Sequence, residues 1–137
     1  MFYFSKLYEK AGFNWHRFWD SFANTFSQVY CLIGVLVSLL FNAFLWVLAA
    51  WIKRQADSLL VLHSSVDFGP DWIGDSRNIF FLPILALFFN LVNFITLVHL
   101  EKSKHFRFSS YLLLSISTLV NIFILVTLLV IYSINFR

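Results

Sequence analysis

Nothing constrains the fold of this chain more than three stretches, residues 29–52, 79–100 and 109–136, that contain no Asp, Glu, Lys or Arg. At about 1.5 Å of rise per residue, roughly 20 apolar residues in a helix cross a hydrocarbon core about 30 Å thick. Each stretch meets that length. Lipid offers the backbone no hydrogen-bond partners, so such runs close their own bonds as helix. The expected fold is an all-α membrane protein with three transmembrane helices at these positions. Tyr30, Trp51, Tyr111 and Tyr132 fall near the ends of the runs, where an aromatic belt would place them.

Composition agrees. Of 137 residues, 60% are hydrophobic and 12% charged, against about 25% charged in a soluble domain whose surface must face water. The net charge of +3 is spread over short flanks, which gives no support to a nucleic-acid partner; the lipid bilayer is the expected one. The single cysteine, Cys31, excludes an intramolecular disulfide. Its place at the entry of the first run suits either a small buried residue or S-acylation. That run is longer than a signal peptide's apolar region and lacks an Ala-x-Ala cleavage pattern, so it is expected to remain as an anchor. Glu9 and Asp20 count against a mitochondrial presequence.

Residues 1–28 read as an amphipathic helix. Phe4, Leu7, Tyr8, Ala11, Trp15, Phe18, Trp19, Phe22 and Phe26 recur at three- and four-residue spacing, with Lys6, Glu9, Lys10, Arg17, Asp20 and Asn24 between them and Gly12 as a point of bending. Its aromatic face suits the plane of the lipid headgroups, or a helix docked on a partner protein.

Flanking charge gives the orientation. Lys6, Lys10 and Arg17 precede the first run, and Lys102, Lys104 and Arg107 fill the connection 101–108; Lys53, Arg54, Arg77 and Arg137 lie on the opposite side. By the positive-inside rule the N-terminus is cytoplasmic and the segment 53–78 is outside, as in a bacterial cell membrane.

Inside the runs, Asn42, Asn90 and Asn121 each lie near the midpoint of their own helix, with Asn93 one turn from Asn90. The four amides are expected to share one depth. An unpaired amide in lipid costs several kcal/mol, so these side chains should face other helices. Gly34, Ser38, Asn42 and Ala49 form one stripe, Pro83, Ala86, Asn90 and Asn93 a second, and Ser110, Ser117 and Asn121 a third. Small and polar residues on one stripe let backbones approach and bond across helices. Two roles follow: fixing register and oligomeric state, or lining a polar pathway. The absence of any Asp, Glu, Lys or Arg within the runs favours the first. His99 lies at the membrane edge, and Pro83 is expected to kink the second helix.

The segment 53–78 reads as a polar loop. It holds His63, Asp67, Asp71 and Asp75 at four-residue spacing, but Gly69 and Pro70 interrupt any continuous helix there. Residues 59–62 are expected to be extended, ahead of a turn around Gly69, Pro70 and Asp71. Asp75 or Ser76 is placed to cap the second transmembrane helix. Three carboxylates and an imidazole have the chemistry to hold a divalent cation or move a proton. Turn and cap roles explain them without either, and no nucleophile with a paired base, phosphate-cradling loop or zinc spacing occurs. No catalytic residue, metal site or cofactor is expected.

His63 followed by Pro70, Asp71 and Gly74, just ahead of a membrane helix containing Pro83, resembles the His-x-x-x-x-x-x-Pro-Asp-x-x-Gly segment of a bacterial membrane domain of unknown function, found also in SdpI-like toxin-immunity proteins. The resemblance covers roughly residues 59–97. It implies a prokaryotic membrane protein whose outer loop, with His63, Asp67, Gly69, Pro70, Asp71, Gly74 and Asp75, recognises a peptide or envelope component. The residues alone lead first to a small non-enzymatic membrane protein, a subunit or accessory factor of a membrane complex or a homo-oligomer. Transport or metal-dependent catalysis ranks below both.

Overall fold

The computed structural model describes residues 15–16, 18–56, 59–65 and 69–136, with the backbone alone for 63–65 and 69–72. A short helix α1 (18–27) leads into α2 (Val29–Gln55), a hairpin of β1 (Leu59–Ser65) and β2 (Gly69–Asp75), α3 (Phe81–His99) and α4 (Phe106–Phe136). The chain is a multi-pass membrane protein: three of its helices are long and apolar enough to cross a bilayer.

The helix ends follow local chemistry. Gln28 is extended (φ −87°, ψ 108°) and separates α1 from α2. Lys53 and Arg54 occupy the last turn of α2, where cations suit the negative end of the helix dipole and long stems reach back along apolar surface. A 3-10 turn, Ser76–Phe80, precedes α3, and Asp75 caps it by accepting from Arg77 N at 2.7 Å. Pro83 therefore falls in the first turn of α3 rather than in mid-helix. Proline is well tolerated in a first turn, most of whose backbone N–H groups have no acceptor within the same α-helix. α4 starts three residues before the apolar run, at Phe106, whose N–H bonds Ser103 O at 3.1 Å and whose ring is buried with Cys31 and Leu97. At 31 residues α4 measures about 46 Å, well beyond the hydrocarbon core, so it reaches past the membrane or tilts within it.

The segment expected to be a loop is an antiparallel hairpin. Leu59 pairs with Asp75, Leu60 with Gly74, Val61 with Ile73, Ser64 with Pro70 and Ser65 with Gly69. Gly69, Pro70 and Asp71 thus belong to β2 instead of forming the turn; only residues 66–68, outside the described set, lie between the strands. In a two-stranded ribbon both strands are edges, and an edge tolerates proline. The register slips around His63 and Trp72, leaving Leu62 and Asp71 without cross-strand partners. Leu60 is buried and Leu62 partly buried against the helices, whereas Leu59 and Ile73 face outward, 63% and 57% exposed. That is the period of two of a ribbon packed on one side.

Two apolar clusters hold the bundle. The larger joins Leu45, Ala49 and Ile52 of α2, Ile79, Ala86 of α3, Ile124, Leu128 and Ile131 of α4, and Leu60 of the hairpin. The smaller joins Cys31, Leu97 and Phe106 at the opposite end. Aromatic side chains pair across helices at both ends: Trp51 with Tyr132 at 5.0 Å, and Tyr30 with Tyr111 at 5.3 Å.

Candidate functional site

The amides do not form one layer. Asn90 and Asn121 face each other between α3 and α4, with Nδ2 to Oδ1 distances of 3.5 and 3.3 Å, and Asn121 also donates to Ser117 O at 2.9 Å. Asn93 donates to Ser117 Oγ at 3.0 Å, adding a second rung to this ladder. Asn42 instead donates to Pro83 O at 3.1 Å, seven residues from Asn90, or about 10 Å along α3. The expected single depth is wrong because Asn42 meets the carbonyl exposed where α3 begins, rather than another amide. Every one of these bonds lies within one chain, and Asn42, Asn90 and Asn121 are buried. The amide faces are consumed in joining the chain's own helices.

The small stripe residues serve the same contacts. Gly34 lies against α4 so closely that a Cβ there would stand 2.6 Å from Leu114 Cδ1. Ala86 is fully buried. Ser38 is buried too, but its hydroxyl has no hydrogen-bond partner among the described residues. The helical Thr25, Ser27, Thr96, Ser110, Thr118 and Thr127 hydroxyls each bond a carbonyl three or four residues earlier, whereas Ser38 makes no such bond among the described residues.

The hairpin is fastened by a contact that hydropathy and spacing do not reveal. Asn135, in the last turns of α4, accepts from Val61 N and donates to Val61 O, both at 2.9 Å, while its second amide hydrogen goes to Ile131 O at 2.8 Å. A primary amide so placed occupies the edge of β1 as a neighbouring strand would. The only signal in the sequence is a polar residue at the end of an apolar helix, which is unremarkable there.

Of the motif residues, Asp67 lies outside the described set, and His63, Gly69, Pro70 and Asp71 are placed by backbone only. Pairing sets His63 opposite Trp72, Ser64 opposite Pro70 and Leu60 opposite Gly74, so one ribbon gathers the segment. Asp75 is a helix cap and exposed. Among the described residues no group of three His, Cys, Asp or Glu is arranged to hold a metal ion. A cleft of about 330 Å3 opens beside the ribbon, lined by Leu62, Leu82 and Ile131 with Asn78 and Thr127.

The N-terminal aromatic residues divide between two surroundings. Phe22 and Phe26 pack on Phe94 of α3 at 5.8 and 5.4 Å, and Phe18 lies 6.4 Å from the His99 ring. Trp15 and Trp19 stay exposed. At the membrane edge His99 Nδ1 donates to Ile95 O at 3.0 Å. The face read as docking on lipid or a partner is thus partly spent on the chain's own α3; the part of that face between residues 1 and 14 lies outside the described residues.

Comparison with known proteins finds no family model, no curated protein and no solved structure that matches this chain.

Proposed function

We propose that this chain is a non-enzymatic accessory subunit of a membrane complex, and that it meets its partner through the outward face of the hairpin. The observation that carries the reading is the double bond between Asn135 and Val61, which fastens β1 to α4 and leaves Leu59 and Ile73 apolar and exposed. Because each of the four amides bonds within the chain, partner binding falls to a surface that is not already used. Exposed apolar side chains on a fastened ribbon suit protein contact, and ribbon edges also accept a further strand. The positive-inside bias supports placing this ribbon outside. Replacing Leu59 and Ile73 together by Ser should abolish co-purification of the partner from native membranes at unchanged protein level. Partner recovery equal to wild type sinks the reading.

A second reading is recognition of a peptide or envelope component, in the manner implied by the resemblance to SdpI-like immunity proteins. It is favoured by the cross-strand gathering of His63, Pro70, Asp71 and Gly74 on one ribbon. Replacing His63 and Asp71 by Ala should then remove a protective phenotype while protein level stays constant.

A further inference from the structure

The two edges of the hairpin are not equivalent. In an antiparallel pair, residues directly opposite each other either exchange both backbone hydrogen bonds or turn those groups away from each other. Val61 stands opposite Ile73, and its N–H and C=O are both taken by Asn135 on the α4 side. The pair is therefore of the second kind, and the Ile73 N–H and C=O point outward from the far side of β2. Neither has another backbone partner among the described residues. Asn135 thus closes one edge of the ribbon, while the other keeps a donor and an acceptor beside the exposed Ile73 side chain.

The residues of β2 limit what can pair there. Pro70 has no N–H to offer, so the open edge is confined to residues 71–75. Residues 55–76 contain Asp57, Asp67, Asp71 and Asp75 and no Lys, Arg or Glu. A second copy of β2 laid antiparallel about Ile73 sets Asp71 and Asp75 opposite each other twice, and a parallel copy in register sets each against itself. Like charges directly opposite are destabilising, so the edge disfavours its own copy. The same charges complement a cationic strand. Ile73 and Asp75, two residues apart, share a face of the ribbon, and both are exposed. Asp75 gives one carboxylate oxygen to Arg77 N and keeps the other for a cation.

We propose that the open edge of β2 takes an extended, cationic segment of a partner protein as a third strand, bonded to the Ile73 N–H and C=O, with an apolar residue beside Ile73 and Lys or Arg beside Asp75. Main-chain bonds supply the attachment and alternate side chains the selectivity. The inference rests on the reading of the outward hairpin face as the partner surface, and adds to it the edge used, the mode of contact and the chemistry of the partner.

The test uses the full chain in phosphatidylcholine nanodiscs and a fluorescent peptide, acetyl-Thr-Lys-Thr-Val-Thr-Lys-Thr-amide, whose Lys and Val lie on one face when extended. A second peptide has Glu for Lys. In the decisive variant an α-hydroxy acid with the isoleucine side chain replaces Ile73, so that an ester oxygen stands for its N–H and nothing else on the side chain changes. Fluorescence anisotropy should show saturable binding of the Lys peptide, no saturable binding of the Glu peptide, and affinity about tenfold lower in the ester variant, the loss typical of one hydrogen bond. Unchanged exchange of the Gly74 amide, which faces Leu60 within the ribbon, shows that the hairpin is retained. Equal binding of the two peptides, no saturable binding of the Lys peptide, or equal affinity in the ester variant would overturn strand addition. The broader reading is decided separately, by partner recovery from native membranes with Leu59 and Ile73 changed to Ser: loss there alongside a failed peptide test removes strand addition alone.

Discussion

Asn135 pairs with Val61 as a strand pairs with its neighbour, giving and taking one hydrogen bond at 2.9 Å each. The contact spans the chain from the hairpin to the last turns of α4. Asn135→Ala removes both bonds, and at about 1 kcal/mol apiece the local loss is about 2 kcal/mol. Amide exchange at Val61 should then quicken roughly thirtyfold, at 1.4 kcal/mol per factor of ten. Exchange unchanged at Val61 would mean that Leu60 packing alone holds the ribbon.

The reciprocal bonds of Asn90 and Asn121 predict coupling. Either residue changed to Ala leaves the other amide buried and short of a partner, a loss of about 1–3 kcal/mol. The double change should cost less than the sum of the singles by about 0.6–2 kcal/mol, the range for interhelical hydrogen bonds in membranes. Unfolding equilibria of the four proteins in bicelles measure it. Strict additivity would show that the two amides do not interact.

Ser38→Ala should behave in the opposite way to Asn121→Ala. Its hydroxyl is buried without a partner among the described residues, so removing it leaves stability equal or raised. The same unfolding measurement decides, and a loss above about 1 kcal/mol would show that the hydroxyl is bonded in the membrane.

Gly34 and Leu114 test the close approach of α2 and α4. Gly34→Leu forces atoms into the space held by the Leu114 methyl groups, an overpacking worth about 1–3 kcal/mol. Leu114→Ala in the same chain should restore much of that loss, although alone it destabilises. Additive losses would contradict the contact.

Much of the fold was legible because lipid leaves few choices: long uncharged runs become helices, and their buried amides must find partners. Asp75 as a cap was legible too, from its place before an apolar run. The hairpin was legible only in part: residues 59–62 read as extended and lie in β1, but Gly69 and Pro70 signal a turn locally and only cross-strand pairing draws them into β2. Nor was the partner of Asn42, which is a backbone carbonyl at Pro83 and has no side-chain signature. Asn135 stayed hidden because its partner is backbone as well, 74 residues away. Which stripe meets which depends on three-dimensional packing, and periodicity within one helix does not specify it.

The central claim, a hairpin fastened to the bundle and offered to a partner, is tested most directly by a photoreactive amino acid at Ile73, with another at lipid-facing Leu119 as control, cross-linked in native membranes. The account predicts one discrete protein adduct from Ile73 that disappears with Asn135→Ala, and only lipid adducts from Leu119. Lipid adducts alone from both positions would contradict it.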